Sequence, residues 1–222
     1  TGVDNVLIGG LPGDAITTGS YNIAIGRNAL GSETGGSRST AIGYFALATQ
    51  NKGSGDANNV AVGHSAGEQM TTGIQNTLIG NIAGDALTTG AANVALGYGA
   101  LSTEDTGSRN VAVGYQTLLN QNVDSYAYNI AVGYSAGKEV TTGLYNVLIG
   151  GLAGDAITTG SYNIAIGKSA LGAEDGNGRN VAIGAGALYA LNAGADAYNI
   201  AIGCDAGGSM STSTENTLVG GL

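Results

Sequence analysis

The sequence predicts an all-β protein: a parallel β-solenoid or β-roll of about thirteen stacked 17-residue turns, grouped in 70-residue blocks of four. Three observations predict it. One pentapeptide (Asn, then Val/Ile/Thr, then Ala/Leu, then Ile/Val/Leu, then Gly) starts at residues 5, 22, 39, 59, 76, 93, 110, 129, 146, 163, 180, 199 and 216, and only Ser39 departs from Asn. Successive starts are 17 residues apart, except for steps of 20, 19 and 19 that come once per block. The middle of the motif is short, β-branched and closed by Gly, which is the pattern of a brief strand.

A 17-residue unit is too short for a propeller blade or a strand-plus-helix repeat. One unit per turn, stacked at the ~4.8 Å spacing of paired strands, accommodates it. The blocks are 71, 70 and 70 residues long and are marked by Leu7, Leu78, Leu148 and Leu218 in the third position. No linker interrupts the pattern, so 1–222 reads as a single repetitive segment. Residues 5–11 and 216–222 repeat the same sequence pattern, so a piece of a longer repetitive protein is expected.

Composition agrees with small residues packed in layers. There are 41 Gly without a Gly-X-Y triplet, 43% hydrophobic residues, one Phe and no Trp, which excludes collagen and disfavours disorder. A formal charge of −9 with only seven Lys and Arg argues against nucleic acid or an anionic membrane as partner. No apolar run approaches the ~18 residues of a spanning helix, so no membrane insertion is expected. Cys204 is the only cysteine, so no intrachain disulfide framework exists.

Within a turn, strand alternation separates two sets of side chains. Positions two and four, such as Ile164 and Ile166, are expected to fill the solenoid. Positions one, three and five, such as Asn163, Ala165 and Gly167, point the other way. Stacked Asn residues are expected to form an amide ladder, and the motif Gly to take a conformation or a close approach closed to other residues. Residues 16–19, 70–73, 87–90, 140–143 and 157–160 carry an apolar residue plus Thr-Thr-Gly and read as a second short strand with its turn. The third unit of each block absorbs its extra residues in a polar surface loop at 50–58, 120–128 and 192–198.

Position three is Ala in nine units and Leu in four, never polar. Strands apolar on both faces are covered on both faces, and this chain has no helix or second sheet to spare. Self-association is expected to supply the cover, with a homotrimer as the expected form and a dimer or lateral filament bundle as the alternatives.

Candidate chemistry is sparse. Asp14, Asp85 and Asp155 sit in Gly-rich turns that nearly match a calcium-binding nonapeptide, as in residues 150–158, where Ala153 replaces a Gly. They read as turn or capping residues, with calcium as the alternative. Glu33, Glu104-Asp105 and Glu174-Asp175 precede Arg38, Arg109 and Arg179, and read as local loop ion pairs rather than a glycosidase carboxylate pair. His64 beside Ser65 invites a nucleophile reading, but Tyr134 and Cys204 take the place of His64 in later blocks. Tyr residues just before the Asn (Tyr21, Tyr128, Tyr145, Tyr162, Tyr198) or just after the Gly (Tyr44, Tyr98, Tyr115, Tyr134) read as covers for strand ends, with sugar stacking as the alternative. No catalytic, cofactor or metal residue is assigned, and no enzyme is expected.

The units at residues 22–30 and 180–188 (Asn-Ile-Ala-Ile-Gly-Arg-Asn-Ala-Leu and Asn-Val-Ala-Ile-Gly-Ala-Gly-Ala-Leu) resemble the tandem Asn-x-Ala-Ile-Gly repeats of phage tail fibres and bacterial surface fibres. They are also similar to the shorter head repeats of trimeric autotransporter adhesins, which form a left-handed parallel β-roll. The resemblance implies a structural shaft or head segment of an extracellular fibre, on a virion tail fibre or a cell surface, that presents a receptor-binding tip. The alternatives are an adhesin whose own loops grip a host-surface glycan or protein and, third, a polysaccharide-degrading β-helix.

Overall fold

The computed structural model describes residues 2–221. They form two compact units: the chain up to Asn110 together with Asp124–Tyr126, and Val111–Val123 together with the chain from Ala127 onward. Each unit is a run of β-solenoid turns without helix. In the first lie β1 (Val6–Ile8), β2 (Ile23–Ile25), β3 (Gly36–Ser37), β4 (Thr40–Ile42), β5 (Gly55–Asp56), β6 (Val60–Val62), β7 (Thr77–Ile79) and β8 (Val94–Leu96). In the second lie β9 (Val111–Val113), β10 (Ile130–Val132), β11 (Val147–Ile149), β12 (Ile164–Ile166), β13 (Val181–Ile183), β14 (Ile200–Ile202) and β15 (Thr217–Val219).

The thirteen three-residue strands are the thirteen motifs. Within each unit they pair in parallel and in register, so that Ile164 meets Val181, Ala165 meets Ala182 and Ile166 meets Ile183. The motif Gly ends each strand. Gly167 has φ of +133°, and a Cβ there would lie 2.5 Å from the backbone of Gly184 one turn on. Conformation and close approach both demand glycine at this position.

The Asn residues are buried and clamp each turn to the next. Asn146 Oδ1 accepts the backbone N–H of Asn163 at 2.9 Å, and Asn146 Nδ2 donates to the carbonyl of Gly160 at 2.9 Å. Asn22, Asn59, Asn76 and Asn93 accept and donate in the same way. The expected ladder therefore runs mainly from side chain to backbone, with fewer amide-to-amide bonds, because the main chain at the turn has groups that nothing else reaches. Ser39 is too short for the forward clamp. Gln50 fills in, donating to Ser39 Oγ at 3.1 Å and accepting from Asn59 Nδ2 at 2.8 Å.

The expectation that Ile164 and Ile166 fill the solenoid is corrected. Position three lies inside: Ala24, Ala41, Leu78, Ala112, Leu148 and Ala165 have no exposed surface. Positions two and four face outward, half-buried or exposed. The reason is volume. A 17-residue turn encloses a narrow interior already holding Asn and Leu side chains, and a β-branched residue at position three would overfill it.

The same volume accounting explains the four-unit block. Count the motif Asn as position one. In the second and third units position three is Ala, and position nine is a buried Leu such as Leu30, Leu47, Leu171 or Leu188. In the fourth and first units position nine is Gly, and room goes to position twelve (Met70, Leu87, Val140, Ile157) and to the marker Leu. A Cβ on Gly67 would lie 2.7 Å from Leu78 Cδ1, and one on Gly137 would lie 2.6 Å from Leu148 Cδ1. Position nine is left-handed in each of the twelve turns that contain it, with Leu47 at φ of 49° and Leu118 at 48°. That conformation costs a non-glycine residue about 1–2 kcal/mol, which full burial of a Leu, about 1.5–3 kcal/mol, offsets.

The Thr-Thr-Gly segments form no strand. They stack as bends, with Thr71 N–H donating to the Thr88 carbonyl at 2.9 Å and Thr141 N–H to that of Thr158 at 2.8 Å. The three inserted loops are exposed in their middles, as expected. Among the described residues no helix is long and apolar enough to cross a membrane.

Candidate functional site

The strongest candidate is the outward sheet face. Strand alternation gives it two columns of Val, Ile, Leu and occasional Thr, running through every turn of each unit. Ile130, Ile149, Ile200 and Ile202 are 39%, 37%, 39% and 40% exposed, although each is β-branched and apolar. Tyrosines stand on either side of these columns. In the turn of β10, Tyr128 precedes the motif Asn and Tyr134 follows the motif Gly, framing Ile130 and Val132.

The tyrosine rings stack on one another along the direction of turn stacking. Tyr128 and Tyr145 have centroids 5.5 Å apart at 11°, and Tyr145 and Tyr162 are 4.9 Å apart at 14°. Arg179 continues this column, its guanidinium 5.1 Å from the Tyr162 ring and 5.6 Å from that of Tyr198. On the other side Tyr115 stacks on Tyr134 at 5.5 Å, and in the first unit Arg27, Tyr44 and His64 stack in turn. Ring faces engaged in this way do not stack on sugars, so the geometry favours the edge-covering role for the columns.

The expected loop ion pairs are corrected. Glu33 and Glu174 are fully buried inside the turns rather than beside Arg38 and Arg179, and Glu104 is fully buried as well. Arg38 pairs with Asp56, and Arg179 with Asp196 at 2.7 Å, each one turn further on. Arg109 lies 4.1 Å from the Tyr126 ring. A five-residue separation in a turn that bends inward sends the acid and the base to opposite sides of the backbone.

Position twelve holds these acids, as buried polar sites in an otherwise apolar column that the sequence reading missed. Glu33 Oε1 accepts the N–H of Gly35 and Gly36, while Oε2 accepts Gln50 Nε2 at 3.0 Å and the Lys52 N–H at 3.1 Å. Burial alone would raise its pKa; the bonds from Gln50, Lys52, Gly36 and Gly35 outweigh burial and hold it below the ordinary value. The alternation of apolar residue, Glu and Gln at position twelve was the available signal.

The remaining candidates do not converge. Among the described residues no three His, Cys, Asp or Glu gather where a metal could sit, so Asp14, Asp85 and Asp155 are not brought to a shared site. Asp85 Oδ1 is buried without a hydrogen-bond partner, and burial together with the charge of Glu68 raises its pKa to about 6. Asp155 is also raised, by burial first and by Glu139, with Lys138 acting against the rise. His64 stacks on Tyr44, and Ser65 is buried at φ of 54°; no hydrogen bond joins the two. The exposed Cys204 thiol donates to Asp205, and that bond and charge raise its pKa, away from a reactive thiolate. Comparison with protein-family models, with curated proteins and with solved structures gave no match for this chain.

Proposed function

We propose that this chain is a non-enzymatic structural segment, the shaft or head of an extracellular fibre on a virion tail or a cell surface, holding a receptor-binding tip away from the particle. Its turns are clamped to their neighbours by buried Asn side chains, with Gln50 filling in beside Ser39, which suits a stiff spacer. The observation that carries the reading is the outward apolar face. A soluble chain with nothing to cover it would place Lys, Glu or Ser at positions two and four; here Val and Ile fill them turn after turn.

The cover is further copies of the same chain, arranged as a homotrimer. A partner must match two apolar columns repeating once per turn, and another copy carries that period on its own face. Replacing Ile130, Ile149, Ile200 and Ile202 together by Thr is expected to weaken association while leaving the circular dichroism of the folded turns intact. Association at unchanged strength in that variant overturns this use of the face. On a panel of polysaccharides the purified chain is expected to show no turnover; turnover abolished by one carboxylate substitution would overturn the structural reading.

A further inference from the structure

Glu174 occupies the place in the third block that Glu33 occupies in the first. Both are eleven residues beyond a motif Asn, and both are fully buried. The partner one turn on differs. Gln50 caps Glu33 in the first block, whereas Leu191 stands in that place in the third. Their local backbone is the same: Gln50 N–H donates to the Leu47 carbonyl and Leu191 N–H to that of Leu188, each at 3.2 Å. On the preceding turn the same position is Ile157, also fully buried.

The consequence is visible in the bonds. Asn177 donates its amide at 2.7 Å and its backbone N–H at 3.2 Å, both to Oε1 of Glu174. Oε2 is buried without a well-aligned hydrogen bond, and the Ala193 backbone on the following turn gives the carboxylate only its weakest stabilisation. Burial of the carboxylate outweighs the bonds from Asn177 and Ala193, while the neutral acid loses far less on burial.

We infer that Glu174 is an acid-responsive closure point: a proton on its carboxyl keeps residues 174–178 closed against the following turn, and loss of that proton opens them. The surrounding charges act in the same direction or are spent elsewhere. Asp175 on the same turn disfavours the ionised form. Asp196 on the following turn is engaged by Arg179. On the preceding turn Asp155 stands at position ten, influenced by Lys138 and Glu139. The first block, with Glu33 fully bonded, lacks the device. This inference stands independently of the fibre reading.

Hydrogen exchange on the whole chain tests it. The Asn177 N–H is compared with the Gly36 N–H, which makes the equivalent bond to Glu33, so that the intrinsic pH dependence of exchange cancels. As pH rises above the ordinary carboxylate range the ratio of Asn177 to Gly36 exchange is expected to rise, by up to about tenfold per pH unit where one proton is released. Glu174→Gln, which cannot ionise, should give a flat ratio. Leu191→Gln, which restores the missing amide, should flatten it as well. A flat ratio in the parent chain, or an unchanged slope in Glu174→Gln, overturns the inference. A slope that persists in Leu191→Gln overturns the lost amide as its cause.

Discussion

Asn163 donates its backbone N–H to Oδ1 of Asn146, the same residue one turn earlier, at 2.9 Å. Asn146 simultaneously holds the Gly160 carbonyl, so a single side chain satisfies two buried main-chain groups of the next turn. Asn146→Ala leaves both without a partner and is expected to cost about 1–3 kcal/mol. Urea unfolding measures this, and an unchanged midpoint would contradict the clamp.

The orientation of the strands makes a paired prediction. Ala165 is fully buried, and Ile166 beside it is half-exposed. Ala165→Asp places an unpaired charge inside the turn and is expected to cost several kcal/mol. Ile166→Asp puts the same charge outside and is expected to cost much less at concentrations where the chain is dissociated. Equal melting temperatures for the two variants would be inconsistent with these faces.

Core volume in the second unit can be tested by coupling. Gly137→Ala drives a methyl group against Leu148 Cδ1 and holds Ala at a left-handed φ near +59°. Overpacking and backbone strain together are expected to cost about 2–4 kcal/mol. In a Leu148→Ala background the closest clash disappears, leaving the backbone part and the 3.0 Å approach of Leu118 Cδ2. The two substitutions should therefore be non-additive by about 1 kcal/mol or more, as read from a double-mutant cycle.

Asp85 supplies a pH dependence. Its folded pKa is raised from 3.8 to about 6 by burial and by Glu68. A raised acid favours the folded state while protonated, so its contribution is full below the unfolded pKa and is lost as pH rises through about 6. Asp85→Asn is expected to leave stability unchanged near pH 4 and to raise it near pH 8. With allowance for partial solvent screening the gain is about 1 kcal/mol. Thermal melts at the two pH values decide it; a gain at acidic pH alone would contradict the assignment.

The turn count, register and loop sites were legible because they depend on spacing, and spacing is unaffected by which face is buried. The buried face was not legible. Ala165 and Ile166 are both apolar, so alternation separates them without ranking them, and hydropathy favours the wrong one. What decides is the narrow interior, visible only once Leu171 at position nine is seen to fill it. The same limit hid the buried acids. Glu33 and Arg38 look like neighbours in the chain, and only the path of the turn sends one inward and the other toward Asp56. The proposal that a second apolar face is covered now rests on the Val and Ile columns rather than on the Ala column.

Mass in solution tests that cover most directly. Light scattering on the folded chain at about 1 μM, near the affinity expected of a specific interface, is expected to give three times the 21.7 kDa chain mass. A mass of one chain, with circular dichroism showing the turns intact, would contradict the account.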